Sequence, residues 1–368
     1  MPPLGLVDTM NSDIDKMRNE FFKISLSAGH HNIKYTWQEI MLMILSCIRS
    51  LESFEEGAKA PSAQTLRDRL VLDSDWRSYF ESVMQKLAVF SSKTFSKISW
   101  YLSIDETYVA FFGKRKKLNE ELKKLGLKEY VHGYTDKTPG ATGSFRFLVV
   151  SFCSSKIRIP LAIKLCGVGE DYNPWLKNKL DKYLSVFPKS VVLADRGFAK
   201  VWFFEMLEEL KASYVIRTPL KKKENKNKAT LGIDWFQYWM KQTKTGNKVL
   251  LTIVVAKDNK NRKYFLATNI ERKHNKTILK IYRERWDLEN IFKDSDRIEL
   301  PTSSRNPLMR LFCVTTSLFM FALWQYERLF TKPFSLRTFI KRIIDWICQK
   351  IGCIITPTGV IQGNKHPP

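Results

Sequence analysis

The feature that most constrains the fold is the texture of residues 98–218. Three runs, "ISWYLSID", "SFRFLVVSFC" and "IRIPLAIKL", are rich in β-branched and aromatic residues, as strands are. A helical stretch, "NPWLKNKLDKYLSVF", follows, then a short apolar strand, "SVVLAD". The helix "KVWFFEMLEELKA" and the strand "SYVIRT" complete the segment. Three strands followed by alternating helix and strand specify a mixed α/β layer. Asp105 ends the first of these strands and Asp195 the fourth. Acids at the carboxyl ends of strands point into the crevice where open α/β sheets place their sites. Taken singly, each acid also fits a turn or helix N-cap. Glu106 neighbours Asp105, but adjacent strand residues face opposite sides, which sets it apart from such a site.

A second stretch bears on the same site. "IYRERWDLENIFKDSDR", from Ile281 to Arg297, places Glu289 among Arg283, Arg285, Lys293 and Arg297. As a helix it puts Tyr282, Arg285, Glu289 and Lys293 on one stripe, beside an apolar stripe of Ile281, Leu288 and Phe292. Alone, that pattern also describes a solvated face of Arg–Glu–Lys pairs. Two strand-end acids and a glutamate on a later core helix form a set of hard oxygen donors, which suits magnesium or manganese.

Charge narrows the partner. The chain of 368 residues has 61 Lys and Arg against 37 Asp and Glu, a net charge of +24. Such an excess draws a polyanion, and nucleic acid is the first choice because phosphate neutralisation releases counterions. No long basic amphipathic membrane anchor is evident, and the apolar run from Leu311 to Trp324 is short for a membrane span. Basic runs Lys114–Lys117, Lys123–Lys124 and Lys221–Lys223 lie in or beside connecting segments, each a solvated loop or part of a phosphate track. The six cysteines have no CxxC pair, and most fall in apolar runs and read as small core residues of a reducing compartment. The N-terminus lacks a secretory pattern, so a cytoplasmic protein is expected. The five histidines have no HExxH spacing, and there is no GxxxxGK[ST] loop.

The expected organisation is a helical region over 1–95, a core over 96–218, a β-strand insertion over 219–270, the second part of the core over 271–347, and a loose tail over 348–368. The first region, with Arg67 and Arg69 on a short helix, is either a DNA-binding head or a bundle that only packs.

The segments "SIDETY", "LADRGF" and "YRERWDLE" resemble the three motifs of DDE transposases from prokaryotic insertion sequences. The subgroup is the one named for its Tyr-Arg-Glu-Lys motif, with a β-strand insertion between the second Asp and the Glu. The resemblance spans roughly Trp100 to Phe330 and is most specific at Tyr282-x-x-Arg285-Trp286-x-Leu288-Glu289 and Ala194–Phe198. It implies a ribonuclease H-like mixed sheet flanked by helices, with Asp105, Asp195 and Glu289 holding two Mg2+ or Mn2+ ions. It further implies that Tyr282 and Arg285 contact transposon-end DNA. Lys293 and Arg297 around Glu289, and Lys114, Arg115 and Lys116 of the first basic run, are further expected DNA contacts, and a homodimer on DNA is expected. One position departs from the family. Its lysine falls seven residues after the glutamate, where this chain has Asp296, and Lys293, on the face of Glu289, is the substitute. Rival readings are a non-catalytic DNA-binding derivative of a transposase and a ribonuclease H-fold nuclease.

Overall fold

The computed structural model describes residues 75–124, 126, 128–133, 138–155, 157–219, 233–241, 246–271, 274–285, 305–330, 334–351, 353–356 and 359–362. Residues 1–74, the basic linker at 220–232 and the segment 286–304 lie outside these, and with them Glu289, Lys293, Asp296 and Arg297. The chain divides into two units, residues 89–293 and residues 1–88 with 294–368.

The described chain opens with helix α1, Asp75–Thr94, whose buried Phe80, Val83, Met84, Leu87 and Ala88 recur at spacings of three and four. In the unit of residues 89–293, strand β1 spans Tyr101–Phe111, helix α2 Arg115–Lys124 and strand β2 Val131–His132. Strand β3 follows at Gly143–Cys153 and β4 at Arg158–Cys166. Helix α3 spans Asn173–Val186, β5 Val191–Ala194, α4 Val201–Glu209 and β6 Ser213–Arg217. The strand-rich stretch after the linker gives β7, Trp235–Lys241, β8, Lys248–Lys257, and β9, Lys263–Thr268. Helix α5, Asn275–Arg283, leads toward the second motif stretch.

Nine strands form one sheet in the order β2-β3-β1-β5-β6-β9-β8-β7, with β4 also paired to β3. The strands β4-β3-β1-β5-β6 are its heart. β3 is antiparallel to β1 and to β4, and β5 and β6 are parallel to β1. A three-strand antiparallel meander whose first strand receives two parallel strands on its other side is the ribonuclease H-like arrangement expected from the resemblance. The β5–α4–β6 crossover supplies the second parallel strand, as parallel pairing requires. The stretch expected as an insertion does not stand apart from this sheet. β9 pairs antiparallel with β6, and β8 and β7 extend the sheet beyond it. The open edge of β6 is thereby covered.

Two local choices explain the other side. Pro160 lacks an N–H and sits on β4, an outer strand where none is needed. The register slips there, leaving Leu161 as the extra residue, and its carbonyl accepts the Tyr183 hydroxyl of α3 at 2.8 Å. Helices cover both faces. Phe187, at the end of α3, stacks on Phe152, and Phe204 of α4 packs on Tyr214. On the opposite face, Ile278, Leu279 and Tyr282 of α5 pack with Tyr101, Leu193, Val215, Val254 and Leu266.

In the other unit, helix α6 spans Pro307–Phe330 and α7 Leu336–Ile351. Phe80 of α1 meets Phe319 of α6 edge to face at 5.7 Å. By length and composition α6 could cross a membrane, yet 83% of its most apolar window is buried inside the protein, as in a core helix. Within the segment read as a loose tail, β10, Cys353–Thr356, pairs antiparallel with β11, Gly359–Gln362.

Candidate active site

The register of three strands builds the site. Tyr101 pairs with Val191 and Val191 with Ser213, so Ile104, Ala194 and Ile216 form one row. One residue beyond that row lie Asp105, Asp195 and Arg217, where the β1–β5 and β5–β6 pairing ends. Strand neighbours are about 4.8 Å apart, so the two carboxylates start within reach of a common ion. Side chains two residues apart share a face. The row therefore stands directly above Ser103, Leu193 and Val215, on the face that α5 covers. Polar groups thus begin where the apolar layer stops.

Asp105 corrects one expectation. It does not end its strand, because β1 continues to Phe111 along its full antiparallel ladder with β3. What ends at Ile104 is the pairing with β5, so Asp105 is the first residue of β1 beyond its parallel partner. Its Oδ1 accepts the Glu106 backbone N–H at 2.9 Å, and its Oδ2 accepts from Arg285 at 3.2 Å. Asp195 follows β5 directly and caps the turn Arg196–Phe198, its Oδ1 accepting the Gly197 N–H at 2.8 Å. The capping role and the site role coincide. That bond fixes the carboxylate, while among the described residues no hydrogen bond reaches its Oδ2.

Tyr282 and Arg285, expected at the DNA, are buried in this conformation at 0% and 4% exposure. The Arg285 guanidinium lies 5.6 Å from the centre of the Tyr282 ring and bonds Asp105. Burial pushes the Tyr282 phenol above its ordinary value, with Arg285 and Arg217 pulling against the rise and Asp195 adding to it. The Arg285–Asp105 contact brings the chain just beyond α5 to the acid row. Among the described residues no three His, Cys, Asp or Glu side chains converge as a metal cluster. The two aspartates fit part of one. They are hard oxygen donors, one on β1 and one directly after the neighbouring β5, and Asp105 already holds a cation, the Arg285 guanidinium.

Glu106 points the other way, as its strand position dictates. It pairs with Arg146 and accepts hydrogen bonds from the Tyr172 hydroxyl at 3.3 Å and the Tyr108 hydroxyl at 2.7 Å. Burial and Glu106 together push the Tyr172 phenol up to about 12. This network binds β1 to β3 and to the approach of α3, and it stiffens the strand that carries Asp105.

Lys114 and Arg115–Lys116 lie at the start of α2, with Lys114 and Lys116 exposed. Asn119 of α2 bonds both the N–H and the carbonyl of Val131, at 3.3 and 3.1 Å, which docks the helix on β2. The basic residues follow β1, so they lie roughly 20 Å along the strand from Asp105. Sequence reasoning missed Arg217. It closes the run "SYVIR", and only the β5–β6 register, which ends at Ala194 and Ile216, shows how near Asp195 it falls.

The chain belongs to the family of the transposase DDE domain, whose model matches residues 105–300, more than half of the chain. That match begins at Asp105 and takes in Asp195 and Glu289. Among solved structures, the piggyBac transposase synaptic complex with hairpin DNA is similar over 91% of this chain and 77% of that one, with 12% identity and a TM-score of 0.48. The Mos1 transposase paired-end complex with left transposon end is similar over 61% and 79%, with 13% identity and a TM-score of 0.19. No curated protein matches the chain.

Proposed function

We propose that this transposase cleaves transposon ends and joins them to target DNA by phosphodiester hydrolysis and transesterification at one site. The observation that supports this best is the placement of Asp105 and Asp195, each one residue beyond the paired Ile104 and Ala194, near the end of α5. Glu289 follows Arg285 by four residues and is the third acid by resemblance. When bound by Asp105, Asp195 and Glu289, a pair of Mg2+ or Mn2+ ions supplies activation of water or a DNA 3′-hydroxyl and stabilises the leaving oxygen.

The chain's own residues bind and orient. The Gly197 N–H bond and the Glu106 N–H bond hold each aspartate in place, so little reorganisation is needed when a phosphate arrives. Tyr282 and Arg285 reach transposon-end DNA once Arg285 exchanges Asp105 for a phosphate. Lys293 and Arg297 grip the strand beyond Glu289. Lys114, Arg115 and Lys116 hold phosphates about six base pairs from the cleaved bond, at the rise of 3.4 Å per base pair. No covalent bond between protein and DNA is formed. The net charge of +24 supports a DNA partner. The protein acts as a homodimer on DNA in the cytoplasm of a prokaryote, as part of an insertion sequence of the Tyr-Arg-Glu-Lys subgroup. Its working parts are a DNA-binding head at 1–95, a split core at 96–218 and 271–347, an insertion at 219–270 and a tail at 348–368.

Asp296, at the family's lysine position, favours a second reading, a derivative that binds DNA without cleaving it. The DNA flanking the gene separates the two when used as substrate. Linear DNA carrying those flanks, incubated with the protein and Mg2+, is expected to be nicked at inverted repeats. Retention of the DNA without nicking in Mg2+ and in Mn2+ would favour the derivative.

A further inference from the structure

Arg217 is the one cation in the acid row, and its surroundings are unusual for an arginine. It ends β6 one residue beyond Ile216, whose partner Ala194 precedes Asp195, and Ala194 also pairs with Ile104, which precedes Asp105. Its face is fixed by alternation: Val215, two residues earlier, packs into the core beneath α5. Its guanidinium lies 5.5 Å from the centre of the Tyr264 ring, which is nearly buried. That contact holds the planar group by its face. The five N–H donors around its edge remain, and among the described residues none makes a hydrogen bond or ion pair. A guanidinium seated on an aromatic face, its donors engaged by none of the described residues, suits a planar or tetrahedral oxyanion. Asp195 directly follows the β5 residue paired with Ile216, yet among the described residues no ion pair joins it to Arg217. The arginine therefore adds positive charge to the row without consuming a carboxylate.

We infer that Arg217 donates to a non-bridging oxygen of a DNA phosphate held at Asp105 and Asp195, on the β6 side of the acids. This rests on the reading of the acid row as the cleavage site and adds a third residue to it. Arg285 is spent on Asp105 in this conformation, so Arg217 is the cation of the row that an incoming phosphate meets first. Tyr264 is then a positioning residue, because it sets the plane of the guanidinium.

The test uses the full-length protein and DNA carrying one transposon end. Arg217→Met keeps the apolar stem over Tyr264 but removes the charge and the donors, and Arg217→Gln is measured in parallel, so that a folding defect in one variant leaves the comparison intact. Binding is titrated without divalent metal over a series of salt concentrations, and cleavage is measured with Mg2+. The expected result is an unchanged melting temperature and a salt slope shallower by about 0.9, one phosphate's worth. Cleavage should fall roughly ten- to a hundredfold, the loss of one charged hydrogen bond, with partial recovery in Arg217→Lys. A wild-type salt slope together with wild-type cleavage in both variants would overturn the assignment. A lowered melting temperature with an unchanged slope would also overturn it, in favour of a packing role against Tyr264. If Asp195→Ala still cleaves while the Arg217 slope changes, the acid-row reading fails and the phosphate contact stands.

Discussion

Breaking the Arg285–Asp105 pair is the sharpest structural perturbation available. The two side chains are 5% and 14% exposed, and Arg285 Nη1 lies 3.2 Å from Asp105 Oδ2. Solvent screens such a pair little, and the contact joins one nitrogen to one oxygen. The coupling expected is therefore that of one charged hydrogen bond, about 1.5–3 kcal/mol, below the 3–5 kcal/mol of a fully buried network. Arg285→Gln and Asp105→Asn, singly and together, give a double-mutant cycle read by urea unfolding in EDTA. The unit that holds both residues spans 89–293. For its size, 2 kcal/mol corresponds to roughly 4–8 °C in melting temperature. Each single variant is expected to lose about that much, and the double variant less than the sum. A coupling under about 0.5 kcal/mol would refute the claim that Arg285 holds Asp105, since exposed pairs give no more than that.

Glu170 should make stability pH-dependent at the acid end. Burial would raise its carboxyl, but Lys128, the Gly167 N–H and Lys164 outweigh this and hold it at about 2, against 4.5 when free. Its contribution is complete above pH 4.5 and is lost as the pH falls toward 2, so Glu170→Gln should flatten the stability profile in that window. An unchanged profile would contradict the pairing. Lys293→Ala should lower cleavage more than Arg297→Ala does, and Asp296→Lys should be neutral or activating; near-wild-type cleavage by Lys293→Ala would show that Lys293 does not replace the family's lysine.

The strand texture of residues 98–218 made the mixed sheet legible, because β-branched runs and helical spacing are local properties. Asp195 was legible for the same reason, as an acid that closes a short apolar run. The true extent of β1 was not. Asp105 looked terminal because "YLSID" turns polar there, but "ETYVAF" continues the ladder against β3 across a partner distant in sequence. The attachment of β9 to β6 was equally hidden, since pairing between segments about fifty residues apart leaves no local mark. Arg217 escaped for that reason too, and Arg285, read as a DNA contact, carries in its own sequence no sign of an ion pair with a residue 180 positions earlier.

The most direct test of the account is metal-dependent cleavage of end DNA by Asp105→Ala, Asp195→Ala and Glu289→Ala, with binding measured on the same samples. All three are expected to bind the DNA close to wild type and to cleave at no detectable rate in either Mg2+ or Mn2+, because each loses a metal ligand and not a phosphate contact. Substantial Mg2+-dependent cleavage by Asp195→Ala would contradict the acid row as the site of chemistry.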